Sequence, residues 1–221
     1  MSNRALVIFD LDGTLVDSAN EVLVCLNMMK EQRSQTLLQK QGLLSFMGHG
    51  AQSIVEAAFT DTRESIELLI EEFRSNYSAI KTAKASMYKH VIELLSWLRD
   101  NNCIVALLTN KPKLLCDNVL NELEIRQYFN FIIANDGQFS LKPSPDGINH
   151  LMTYFDVNSN STFMVGDTTL DQKAAHMSEV NFIHFSQGYN DGVKLASYDA
   201  EVSDLLEIKT LIQSYRGDIN E

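Results

Sequence analysis

Five short apolar runs punctuate the chain: Ala5 to Phe9 (ALVIF), Ile104 to Leu108 (IVALL), Phe131 to Ala134 (FIIA), Thr162 to Val165 (TFMV) and Asn181 to Phe185 (NFIHF). The first is unbroken and ends in Asp-rich turn residues, the pattern of a strand covered on both faces, and the others repeat it. Between them apolar positions recur at helical spacing, over Val91 to Leu98, Leu114 to Leu123, Ile148 to Phe155 and the segment after Asp167. Strands alternating with helices predict an α/β fold with a mostly parallel sheet and helices on both faces.

One region breaks the alternation. From Asp17 to Thr82 only helical stretches are legible, such as Val22 to Lys30 and Ile66 to Tyr77, the latter with apolar residues at Ile66, Leu69, Ile70 and Phe73. The expected organisation is a core of residues 1–16 and 83–221 and an all-helical insert of residues 17–82. An insert directly after the first strand stands over the carboxyl ends of the strands, where open parallel sheets bind ligands. Met28, Met29 and Met47 fall in this insert, as core filling or as an adaptable apolar surface. The acidic tail after Ser214, ending RGDINE, is expected to fray.

Composition narrows the partners. The 221 residues are 45% hydrophobic and 21% charged, a globular balance, and 18 basic against 29 acidic side chains give a net charge of −11. Such a chain repels nucleic acid and anionic lipid, so a small metabolite is the expected partner, and an anion site must supply its own cations or a metal. Cys25, Cys103 and Cys116 cannot all pair and form no C-x-x-C motif, so they read as free thiols, with Cys25 and Cys103 in the core. No apolar run approaches the roughly 20 residues of a membrane span, and a cytoplasmic location is expected.

The candidate chemistry begins at the first strand's end. Asp10 and Asp12 bracket Leu11, and residues two apart in extended backbone share a side. Gly13 then permits a tight turn and close approach of a ligand. On its own this stretch reads equally as an Asp-Gly turn. GDTTLD, after the fourth run, sets Asp167 and Asp171 four apart across a strand-to-helix junction, where they serve as hard oxygen ligands for magnesium or where Asp167 caps the helix. LLTNK ends the second strand with Thr109, Asn110 and Lys111, loop groups suited to phosphate oxygens. Lys142 stands before Pro143 and Pro145, near an expected helix start, as a surface lysine or as the ammonium that separates an aspartate nucleophile from an incoming phosphate.

These segments in this order resemble the haloacid dehalogenase-like hydrolase superfamily over nearly the whole chain. FDLDGTLVDS (Phe9 to Ser18), LLTN, Lys142 and GDTTLD are similar to its four motifs, and the helical insert is similar to its small cap. Together with MGHGA (Met47 to Ala51), TNKP and KPSPDGI, they look most like the phosphoglycolate phosphatases within it. The resemblance implies a Rossmann-like core and a magnesium-dependent phosphatase. Asp10 is then the nucleophile, Asp12 the general acid and base, and Thr109 and Lys142 further catalytic groups. Magnesium would be held by Asp10, the Asp12 main-chain carbonyl and Asp167, with Asp171 more distant, and the Gly48-His49-Gly50 loop would face the substrate. The sequence departs from the family pattern at Lys89-His90, Ser178-Glu179 and Gln187, none of them a reacting group. A mutase, nucleotidase or pyrophosphatase on the same scaffold, or a silent phosphometabolite-binding protein, are the competing readings.

Overall fold

The computed structural model describes residues 4–218. Six strands form one sheet: β1 (Leu6–Phe9), β2 (Ile104–Pro112), β3 (Phe131–Asn135), β4 (Thr162–Gly166), β5 (Asn181–Phe185) and β6 (Ala200–Val202). Every neighbouring pair is parallel, in the order β3-β2-β1-β4-β5-β6. The Rossmann-like expectation therefore holds, with β1 at the centre between β2 and β4. The order reverses there, and this reversal opens a crevice at the strand ends.

The continuous apolar runs follow from helices on both faces. Alternate residues of β1 enter opposite layers: Val7 and Phe9 pack with α4 (Val91–Asp100), α5 (Lys113–Glu122) and α8 (Glu207–Asp218). Leu6 and Ile8 pack with α6 (Asp146–Phe155) and α7 (Thr169–Met177). All three cysteines are buried, Cys116 as fully as the other two.

Between β1 and α4 the chain forms α1 (Ala19–Gln32), α2 (Ala51–Ala58) and α3 (Ile66–Ser78), with no strand. These helices share their own apolar cluster, including Leu26, Met29, Met47, Ile54 and Phe73, joined from the core side by Leu115 and Tyr189. Met28 lies outside that cluster and is exposed. The two connections run side by side, since Val16 bridges to Met87 and the Asp17 N–H donates to Ser86 O at 2.8 Å.

Some elements differ from the sequence expectation. β6, three residues long, carries too few alternating positions to be read from sequence alone. α6 begins at Asp146, so Lys142 lies in a turn ahead of the helix rather than at its start. The residue capping α7 is Thr168, not Asp167. Where fraying was expected after Ser214, α8 continues through Asp218, anchored by a 2.8 Å contact between Tyr215 OH and Ser161 Oγ. Residues 219–221 of that tail lie outside the described residues. No helix among those described is long and apolar enough to cross a membrane.

Candidate active site

The end of β1 turns sharply. The N–H groups of Thr14, Leu15 and Val16 all point to Leu11 O, and Gly13, at φ +91°, donates to Val16 O. A β-carbon at Gly13 would collide with the Asp167 carboxylate, so glycine serves here to admit Asp167 rather than a ligand. Gly188 plays a similar part: a β-carbon there would strike Asp167 and the Gly13 carbonyl.

Asp10, at the carboxyl end of β1, stands between two environments. On one side, Asp10, Asp167 and Asp171 form a buried carboxylate cluster, with one oxygen from each lying within 4.8 Å of the others. Lys142 Nζ lies 2.8 Å from Asp10 Oδ1 and 2.6 Å from Asp171 Oδ1. Its approach to Asp10 is an ion pair without hydrogen-bond geometry, so Asp10 Oδ1 is buried with no hydrogen-bond donor. Asp167 accepts from Thr14 Oγ1 at 3.0 Å and from Tyr189 N at 2.8 Å. Asp171 is engaged on both oxygens, by Lys142 on one and by Thr168 Oγ1 (2.6 Å) and Thr168 N (3.1 Å) on the other. It therefore orients Lys142 and the start of α7, accepting from three donors where Asp167 accepts from two.

This crowding has an electrostatic cost. Burial pushes the Asp10 carboxyl up to about 7, opposed by Lys142 and reinforced by Asp171. Asp167 is driven well above the usual carboxylate range by burial, then by Asp171 and Asp10. Burial works against the Lys142 charge, yet its two aspartate partners outweigh it and hold the ammonium above the ordinary lysine value. One ammonium does not neutralise three enclosed carboxylates. A hard divalent cation fits the all-oxygen donor set and the negative charge that one ammonium leaves unbalanced.

On the other side of Asp10 lies a small cavity of about 30 Å³, lined from the core by Asp10, Asp12, Thr109, Asn110 and Lys111 and from the insert by Met47, Gly48, Gly50, Ile54, Phe73 and Tyr77. The Asp12 side chain does not join the carboxylate cluster. It accepts from Ser18 Oγ at 2.5 Å and from Lys111 Nζ at 2.9 and 3.1 Å, which leaves only its main-chain carbonyl for a metal. Ser18 is in turn placed by Tyr189, whose hydroxyl accepts from Ser18 N at 2.9 Å. Tyr189 thus fixes Asp167 through its main chain and Asp12 through Ser18.

The end of β2 divides its tasks differently from the sequence expectation. Thr109 Oγ1 accepts from Lys111 N at 3.2 Å, so its O–H is left as a donor at the cavity wall. The Asn110 side chain is engaged with the Lys142 main chain rather than held out for phosphate. Lys111 reaches Asp12 and, at 3.2 Å, the Tyr77 hydroxyl. Burial opposes the Lys111 charge, but Asp12 and Tyr77 overcome it and keep the ammonium. His49 is also redirected: its Nε2 lies 3.2 Å from Asp191 Oδ2, and only Gly48 and Gly50 of that loop line the cavity. Tyr77, Tyr189, Thr14 and Thr168 were not singled out in the sequence. Thr14 and Ser18 do fall within the FDLDGTLVDS stretch.

Residues 7–185 match the family described as haloacid dehalogenase-like hydrolase. A phosphoglycolate phosphatase of Nitrosococcus oceani is 30% identical over 215 residues, covering 94% of this chain and 96% of that protein. One from Pseudomonas savastanoi pv. phaseolicola is 31% identical over 198 residues, covering 86% of this chain and 72% of its own. Among solved structures, a protein of Haemophilus somnus described as a predicted phosphoglycolate phosphatase superposes with a TM-score of 0.85 at 23% identity, covering 96% of this chain and 99% of that one. A family match of this extent, with close curated relatives and a shared fold, means that this chain is a hydrolase belonging to the haloacid dehalogenase-like family and resembling its phosphoglycolate phosphatases.

Proposed function

We propose that the chain is a magnesium-dependent phosphatase of small phosphomonoesters, acting through a phosphorylated Asp10, with phosphoglycolate as its leading substrate. The observation that carries this reading is the position of Asp10, whose carboxylate borders the cavity on one side and the buried ammonium and carboxylates on the other. Phosphoryl transfer asks mainly for positioning and charge stabilisation, and this arrangement offers both. The curated relatives' names supply the substrate candidate.

In the proposed reaction Asp10 attacks phosphorus while the bond to the leaving alcohol oxygen breaks, and Asp12 gives that oxygen a proton. Asp12 then takes a proton from water as the water attacks the phosphoryl group, releasing orthophosphate and restoring Asp10. Lys142 holds Asp10 and offsets charge at the reacting oxygens, and the Thr109 hydroxyl donates to the phosphoryl group. Asp10, Asp167 and the Asp12 main-chain carbonyl would hold magnesium, with Asp171 behind them, and when bound it supplies positive charge to the phosphoryl oxygens. The cavity of about 30 Å³ holds little more than two waters, so the insert must part from the core to admit substrate and then close to exclude solvent.

Orthophosphate release from a panel of phosphoglycolate, sugar phosphates, nucleotides and pyrophosphate, with magnesium or with a chelator, tests the proposal. Magnesium-dependent hydrolysis led by phosphoglycolate is expected. An isomerised phosphate would make the enzyme a mutase, and inactivity across the panel would leave a binding protein.

A further inference from the structure

Lys142 already supplies an ammonium beside Asp10, yet a second buried ammonium faces the cavity. Lys111 has a side chain only 6% exposed, and among the described residues it is the one cationic side chain in the cavity wall. Around it the insert contributes apolar side chains, Val22, Met47, Ile54 and Phe73. A cation held against such walls is costly without partners. Its partners are Asp12 from the core and Tyr77 from α3, whose hydroxyl lies 3.2 Å from Nζ and whose ring centroid lies 4.9 Å away. A core cation and an insert hydroxyl thus meet at one point of the wall, apart from the Lys142 cluster that serves the reacting group.

We propose that Lys111 and Tyr77 form a subsite for a second anionic group of the substrate, a carboxylate close to the phosphoester carbon, which selects short phosphorylated carboxylic acids over neutral phosphate esters. This rests on the phosphatase reading above, whose leading substrate carries such a carboxylate, and names the two residues that would recognise it. One ammonium and one hydroxyl match a carboxylate's single charge and two oxygens. A second phosphoryl group brings more charge and a third oxygen, for which the wall has no further cation. The simpler role for Lys111 is to balance Asp12 alone. A counter-ion of that kind serves every substrate equally, whereas a subsite serves only those that carry the second anion.

The test measures kcat and KM, in magnesium, for phosphoglycolate and for hydroxyethyl phosphate, which keeps the two-carbon skeleton but replaces carboxylate by a neutral alcohol. Wild type should prefer phosphoglycolate. Lys111→Met should shrink that preference by about 10–100-fold, mainly through KM, as expected for loss of a hydrogen bond to a charged group. Lys111→Arg should retain part of it, and Tyr77→Phe should reduce it several-fold. Equal loss on both esters in Lys111→Met, or no wild-type preference, would overturn the subsite. If Lys111→Met does not fold, an unchanged preference in Tyr77→Phe overturns it. Equilibrium binding of both esters to the Asp10→Asn chain separates the two claims. A binding preference that depends on Lys111, without wild-type turnover, would uphold the subsite and sink the phosphatase reading; turnover of both esters without preference would do the reverse.

Discussion

Asn110 grips Lys142 by its main chain at both ends of one amide: Nδ2 donates to Lys142 O at 3.0 Å, and Oδ1 accepts from Lys142 N at 2.9 Å. The end of β2 thereby sets the position from which Lys142 reaches Asp10 and Asp171. Asn110→Ala removes both bonds and leaves buried main-chain groups unpaired, a cost of about 1–3 kcal/mol for such a group. The expected outcome is a lower denaturation midpoint together with a reduced kcat. Full activity in a folded Asn110→Ala chain would show that Lys142 needs no such placement.

Asp12 is held by Ser18 and Lys111, turned away from the carboxylate cluster. As the proton donor and acceptor, Asp12→Asn should slow hydrolysis of an alkyl phosphate by about 10²–10⁴-fold, the usual range for general acid–base loss. The deficit should narrow on an aryl phosphate with a good leaving group. Equal deficits on both esters would argue for a purely structural Asp12.

Gly188 lies so close to Asp167 and the Gly13 carbonyl that a methyl group cannot be placed there without displacing one of them. Gly188→Ala is therefore expected to disturb Asp167 and weaken magnesium, raising its half-saturating concentration by about 10–100-fold, as when a ligand's support is lost. A magnesium titration of activity reads this directly. An unaltered titration would remove Asp167 from the metal site.

Burial raises the Asp10 carboxyl from its ordinary range to about 7. Between roughly pH 4 and 7 the folded chain then holds a proton there that the unfolded chain has lost, so stability falls as pH rises through that window and is level above it. Asp167 is shifted in the same direction. Without metal, the unfolding midpoint should decline from about pH 5 to 7.5 more steeply in wild type than in Asp10→Asn, and magnesium should recover the loss at the upper end. Parallel pH profiles for the two chains would contradict the raised Asp10.

The sheet was legible because β1 and the first halves of its neighbours are covered on both faces and so are mostly apolar; Asp10, Asp12 and Asp167 stand at or just beyond the ends of such runs, whereas Lys142 lies in the turn between β3 and α6. β6 was not legible: it is three residues long, and Glu201 in its middle is exposed. Tyr77 reads in the sequence as one more apolar position of α3, and only the docking of the insert brings its hydroxyl to Lys111. His49 and Asp191 are 142 residues apart, and neither position predicts the other. Asn110 and Lys111 were assigned one task because they adjoin, but neighbouring residues of extended backbone point apart, and they serve Lys142 and Asp12 respectively.

The central claim is that Asp10 attacks phosphorus, and its most direct measurement is the mass of the Asp10 peptide after rapid acid quench of the enzyme with phosphoglycolate and magnesium. One added phosphoryl group on that peptide is predicted, absent with chelator and absent in Asp10→Asn, which should also release no orthophosphate. An Asp10→Asn chain that releases phosphate at the wild-type rate, with no labelled peptide in either protein, would contradict the account.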